Sequence, residues 1–201
     1  MSNEAPTTTN PAAVTFADPA PLGLAGFALT TLLLSFANAG IVKEAGAITL
    51  VLGLAAFYGG LAQFAAGLFE FRRGNTFGAT AFSSYGAFWL SYWWIVTHLN
   101  AQSGDVHQAL GLFLLGWAIF TAYMTVAALK TSSAVLAVFA FLTLTFLFLA
   151  LGQFQNGTDP DSLTKIGGYL GIVTGLLAWY ASAATVINST HKRDVLPTLP
   201  R

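Results

Sequence analysis

The sequence predicts an all-α integral membrane protein whose six transmembrane helices form one bundle per protomer, and three observations predict it. Charged residues make up 8% of the 201 positions and hydrophobic ones 55%, against roughly 25% charged in an average soluble domain. Six apolar segments, each close to the ~20 residues that a bilayer core requires, fall between those few charges. Lys and Arg are divided unequally between the two sets of connections. In lipid every backbone polar group must be paired within the spanning element, and long unbroken apolar runs satisfy this as helices.

The segments run approximately over 22–42, 48–70, 77–99, 108–129, 133–153 and 166–188. The first follows Asp18, Pro19 and Pro21. Proline lacks the backbone donor that the first helical turn leaves unpaired, and Asp is a favoured cap, so these residues read as a rigid start. At 100° per residue Phe27, Thr31, Leu34 and Asn38 lie within about 60° of one another, one polar-and-apolar stripe on an otherwise hydrophobic helix. In the second segment Ala56, Gly59, Gly60, Gln63, Gly67 and Glu70 form a face of small residues carrying one amide and one carboxylate. The third places Thr80, Ser84, Ala87 and Ser91 on one side, with Tyr85, Trp89 and Tyr92 beside them. The fifth aligns Leu142, Thr145, Leu149 and Gln153, and the sixth a seam of Gly171, Gly175, Ala178 and Ser182 suited to close helix packing.

Connections are short, the most polar being 98–108 and 155–165, which leaves no room for a soluble domain. The division expected is a disordered cytoplasmic tail over 1–18, a six-helix transmembrane domain over 19–190 and a cytoplasmic tail over 191–201. Arg72, Arg73, Lys130, Lys192, Arg193 and Arg201 fall on one side, Lys43 and Lys165 on the other. The positive-inside rule then puts both termini in the cytoplasm.

Inventory excludes several function classes. There is no cysteine, and His98, His107 and His191 stand at segment ends or in loops, so no metal site and no cofactor is expected. No phosphate-cradling loop follows any segment. Ser83 and Ser84 have no base within the helices other than Glu70, so an enzyme is not expected. Zero net charge with no basic block argues against nucleic acid as a partner. Neutral hydroxyls and amides facing one another through a bundle can line a solute path or simply join helices. Glu70 stands inside a span, where an ionisable group is costly; it is either a proton relay or the partner of Arg72 or Arg73.

DPAPLGLAGF at 18–27, FYGGLAQFAAGLFEFRRGNTFGATAFSSYGAFWL at 57–90 and VLP at 195–197 resemble the acetate uptake transporter family, whose bacterial members include acetate/succinate-proton symporters and acetate channels. The resemblance covers essentially all six helices. It implies a homohexamer in the cytoplasmic (inner) membrane, with a substrate path through each protomer that narrows at a ring of Phe, Tyr and Leu. These carry over to Phe27 in LGLAGF, Tyr85 in SSYG and Leu142, placed by counting from Lys130 and Gly152. The family motif begins with Asn where this chain has Asp18; the cap is kept and a charge is added.

The resemblance implies transport of acetate and other short carboxylates, succinate among them, by proton symport or through a channel-like path. A lone carboxylate pays heavily to enter an apolar ring. Thr30, Thr31, Asn38, Gln63, Ser84 and Tyr85 are therefore the candidate polar contacts, Phe27 and Leu142 the enclosure for the methyl group, and Glu70 the candidate proton relay. The partners expected are the carboxylate, protons and membrane lipid. A passive channel for a small neutral solute such as urea or ammonia would use the same lining and stays open as the alternative.

Overall fold

The computed structural model describes residues 16–43, 45–98, 106–155 and 162–198. Most of the predicted tail over 1–18, much of the connections at 98–108 and 155–165, and Arg201 lie outside them. Among the described residues every regular element is helical: α1 (Ala20–Asn38), α2 (Ala45–Ala56), a π-helical segment (Phe57–Ala62), α3 (Gln63–Arg72), α4 (Thr76–His98), α5 (Val106–Ala128), α6 (Ser133–Phe154) and α7 (Ser162–His191). Five helical stretches are long and apolar enough to cross a membrane: Ala20–Asn38, Gly46–Arg72, Val106–Ala128, Ser133–Phe154 and Ser162–His191. With 23 residues α4 has the length, about 35 Å, but it falls short of the other five in hydropathy along its most apolar stretch.

The second apolar segment differs from expectation. Instead of one α-helix it is α2 and α3 joined through π-helical turns at FYGGLA. Such wide turns mark places where neighbouring groups force the ladder open. Here Tyr58 presents its carbonyl to α1 at Gly26, and a Cβ on Gly26 would lie 2.6 Å from that oxygen. The small-residue face is turned inward, with Gln63 and Glu70 fully buried beside Gly59, Gly60 and Gly67.

Around the bundle α1 packs most extensively on α7, α7 on α6, α6 on α5, and α3 on α4. The α1–α7 contact uses the predicted seam: Gly171, Gly175, Ala178 and Ser182 are all buried. A Cβ on Gly175 would stand 3.1 Å from both the Ala28 carbonyl oxygen and Leu32 Cβ. Ser182 Oγ donates to the Pro21 carbonyl at 2.7 Å, fastening α7 to the first turn of α1. By contrast, α4 and α5 meet through side chains more than through backbones. Phe88 packs on Phe113 and Trp117, and Tyr85 on Trp117 and Phe120, with centroids 5.2–5.9 Å apart.

Both ends of the chain are tied down where they are described. Asp18 Oδ1 accepts from Ala20 N at 3.0 Å, so the acid does cap the start of α1. The same oxygen pairs with Arg73. At the other end Asn188 accepts from the amides of Val195 and Leu196 at 2.8 and 2.9 Å and donates to the Leu196 carbonyl, while Tyr180 donates to Pro197. The VLP segment is thereby folded back along α7.

Candidate functional site

A cavity of about 410 Å3 opens where α1, α4 and α6 finish and α5 and α7 begin. That size falls within the roughly 300–1,000 Å3 of small-molecule sites. Two predicted faces form much of its wall: Phe27, Thr31, Leu34 and Asn38 from α1, and Leu142, Thr145, Leu149 and Gln153 from α6. Helical periodicity had grouped each set, and the tertiary fold turns both toward the same space. The stripe on α1 is thus explained: it is the α1 side of the cavity.

Phe27 and Leu142 line the inner end, and Tyr85 lies against Phe27 with ring centroids 5.7 Å apart. The three side chains are 5%, 2% and 3% exposed in the order Phe27, Tyr85, Leu142, so all three are buried in the bundle core. Tyr85 is further held between Phe120 at 5.4 Å and Phe139 at 6.0 Å, and its hydroxyl lies 2.9 Å from Thr121 Oγ1. The wall above is largely apolar, and two buried groups on it have no hydrogen-bond partner: Thr31 Oγ1 and Trp89 Nε1. An unpaired buried donor costs about 1–3 kcal/mol, so these two groups are unsatisfied in the bundle. At the mouth His107 Nδ1 lies 3.0 Å from Gln153 Oε1.

The other candidate residues stand elsewhere. Thr30 is fully buried and donates to the Gly26 carbonyl at 2.8 Å, with its hydroxyl committed inside α1. Ser84 is half-buried and outside the cavity lining. Gln63, Ser83 and Glu70 lie outside the cavity lining: Gln63 packs near Gly26 of α1, Ser83 against Gly67 and Glu70 against Gly78, and Gln63 Oε1, Ser83 Oγ and Glu70 Oε1 are buried without partners. The expected pairing of Glu70 with an arginine is not what the fold makes. Asn75 Nδ2 donates to Glu70 Oε2 at 2.9 Å, while Asn75 Oδ1 caps α4 at Gly78 N, and Arg73 turns to Asp18. The short α3–α4 turn brings the amide, not the guanidinium, over the carboxylate.

Trp89 was the lining residue hardest to read in advance, because a mid-helix tryptophan looks like packing. Its setting depends on the π-helical segment: a Cβ on Gly59 would lie 2.6 Å from Thr30 Oγ1 and 2.9 Å from Trp89 Cδ1. Only a residue without a side chain lets the indole edge sit there. Thr121 was likewise missed, since nothing in α5 marks it apart from the other hydroxyls that bond back to their own helix.

A helical bundle with several apolar spans and an internal, largely apolar cavity defines a multi-pass membrane protein. Residues 2–200 match the model of the GPR1/FUN34/yaaH family, and the chain belongs to that family. It is 41% identical to Acetate permease A of Emericella nidulans over 90% of this chain and 65% of that protein. It is 43% identical to Ammonia transport outward protein 2 of Saccharomyces cerevisiae, over 85% and 62%. With the Succinate-acetate/proton symporter SatP of Escherichia coli K12 it shares 39% identity over 90% and 94%. The chain thus spans somewhat under two thirds of these two fungal relatives and nearly all of the bacterial one. A solved structure described as the bacterial acetate channel SatP superposes with a TM-score of 0.82 at 38% identity, covering 92% of this chain and 99% of that one. These relatives are named for transport and not for catalysis.

Proposed function

We propose that this chain carries acetate, and with it other short carboxylates including succinate, across the cytoplasmic membrane through a path in each protomer. One observation carries the reading: a largely apolar cavity of about 410 Å3 whose lining includes Phe27 and Leu142 and two residues with unpartnered buried donors, Thr31 and Trp89. A short carboxylate matches that arrangement, its methyl group against Phe27 and Leu142 and its head toward the donors. Asn38, nearer the mouth, is a further polar contact. The names and identities of the permease, symporter and channel relatives support the same substrate class.

In this reading α4 is the remaining span, giving six, with both termini cytoplasmic and the cavity facing outward. The division into a tail over 1–18, a transport domain over 19–190 and a tail over 191–201 follows, as does assembly into a homohexamer. Gln63, Glu70 and Ser83 then lie on the inner side of the constriction, with Glu70 the candidate for passing protons there. Thr30 and Ser84 act through the helices that carry the site. Purified protein in lipid vesicles tests the proposal: protein-dependent uptake of acetate should rise with an inward proton gradient and be inhibited by succinate. Glu70→Gln, which can still accept from Asn75, should abolish gradient-driven accumulation, and normal accumulation would leave Glu70 a structural role.

A second reading is a passive path for a small neutral solute such as urea or ammonia, and the name of the 43% identical yeast relative favours ammonia. Urea would move in the same vesicles without regard to the proton gradient, and ammonia would collect in the more acidic compartment, opposite to acetate.

A further inference from the structure

Two hydrogen bonds fix which way the Tyr85 hydroxyl points. Thr121 Oγ1 lies 2.7 Å from the Trp117 carbonyl oxygen and 2.9 Å from Tyr85 Oη. A carbonyl only accepts, so the single hydrogen of Thr121 goes to Trp117, the usual bond of a helical threonine to the residue four before it. The threonine oxygen must then accept, and the hydrogen it accepts is that of Tyr85. Thr121 is fully buried and Tyr85 2% exposed, so water does not compete for this arrangement.

Tyr85 therefore has no hydrogen left for a passing solute; its oxygen offers only a lone pair. Phe27 and Leu142 offer neither donor nor acceptor. The constriction offers an acceptor and no donor, whereas the residues lining the space outside it include donors, among them the donor-only indole of Trp89 and the unpartnered hydroxyl of Thr31. A carboxylate is stabilised by donors and repelled by a lone acceptor, whereas a carboxylic acid has an O–H to give. The side chains packed on Tyr85 from α1, α5 and α6 are Phe27, Trp117, Phe120, Thr121 and Phe139. None is charged, and the titratable neighbour is the half-exposed Tyr123 of α5.

We propose that Thr121, from a helix that contributes no member of the ring, makes the constriction selective for the protonated acid. The inference rests on the carboxylate-transport reading and deepens it. The anion is held at Thr31 and Trp89 and takes a proton from water, RCOO− and H3O+ giving RCOOH and H2O. The acid donates its O–H to Tyr85 Oη as it passes, and on the far side it gives the proton to the Glu70 carboxylate, RCOOH and Glu70–COO− giving RCOO− and Glu70–COOH, from which water carries it away. One proton accompanies each carboxyl group and no net charge crosses.

The test compares the unaltered protein with Thr121→Val and Thr121→Ser in vesicles, recording acetate uptake and acetate-dependent current, with protein-free vesicles subtracted. The unaltered protein should take up acetate without current, and uptake should fall about tenfold per pH unit above the range where the carboxyl group titrates. Thr121→Val keeps the shape and removes the acceptor, freeing the Tyr85 hydrogen to meet an anion. An acetate current should appear, and the pH profile should flatten; Thr121→Ser should restore both. Acetate current through the unaltered protein that matches its uptake would overturn the proposal, as would a Thr121→Val protein identical to it in current and pH profile. If Thr121→Val does not assemble, Tyr85→Phe serves: loss of tenfold or more of the uptake supports the acceptor role, and full uptake overturns it. Absence of any protein-dependent acetate uptake in the unaltered protein is a separate result, and it removes the transport reading itself.

Discussion

Asp18 pairs with Arg73, joining the first turn of α1 to the turn between α3 and α4. The pair closes a loop of contacts in which Asp18 also caps Ala20 and, one turn away, Asn75 holds Glu70. Because the side chains of Arg73 and Asp18 are 35% and 39% exposed, the ion pair itself contributes at most about 1 kcal/mol. Asp18→Asn retains the capping oxygen and drops the charge. It should lower thermal stability by no more than a few degrees and leave acetate uptake within about twofold. A tenfold loss of uptake with stability intact would put Asp18 on the solute path.

Leu142 is 3% exposed and sits at the inner end of the cavity. Leu142→Ala should cost about 2–5 kcal/mol of stability, as truncation in a packed core does, and should widen the constriction. The expected outcome in vesicles is a shift of the succinate-to-acetate uptake ratio toward succinate. An unchanged ratio would remove Leu142 as a gate.

Trp89 and Thr31 carry unpartnered buried donors. Trp89→Phe keeps an aromatic ring and removes the indole N–H, and Thr31→Val removes the hydroxyl at nearly constant shape. A hydrogen bond to a charged group is worth about 1.5–3 kcal/mol, so each variant should weaken acetate binding by roughly 10- to 100-fold. The concentration dependence of uptake reads this directly. Unchanged half-saturation in both would move the binding site away from this wall.

Gly175 faces the Ala28 carbonyl and Leu32 of α1. Gly175→Leu cannot be accommodated without separating α1 from α7, so it should reduce the yield of folded protein severely. Detergent-solubilised protein of normal stability would show that this contact is loose.

Periodicity is what made the cavity legible. Phe27, Thr31, Leu34 and Asn38 were grouped by the helical repeat alone, as were Leu142, Thr145, Leu149 and Gln153, because a polar residue on an apolar helix is costly unless its face is sheltered. Periodicity gives a face but not its neighbour. Ser84 and Gln63 therefore looked equivalent to Thr31, although both are outside the cavity lining and Gln63 packs near Gly26 of α1. The π-helical turns at Phe57–Ala62 were not legible, since they arise from contacts with α1 and α4 rather than from local preference. The roles of Trp89 and Thr121 depend on those tertiary contacts in turn.

The central claim is that a short carboxylate is the solute admitted past Phe27, Tyr85 and Leu142. Uptake of labelled acetate by vesicles holding the purified protein, set against protein-free vesicles and labelled urea, tests it most directly. The account predicts protein-dependent acetate uptake that unlabelled succinate suppresses and urea does not. Protein-dependent urea uptake with none for acetate would contradict it.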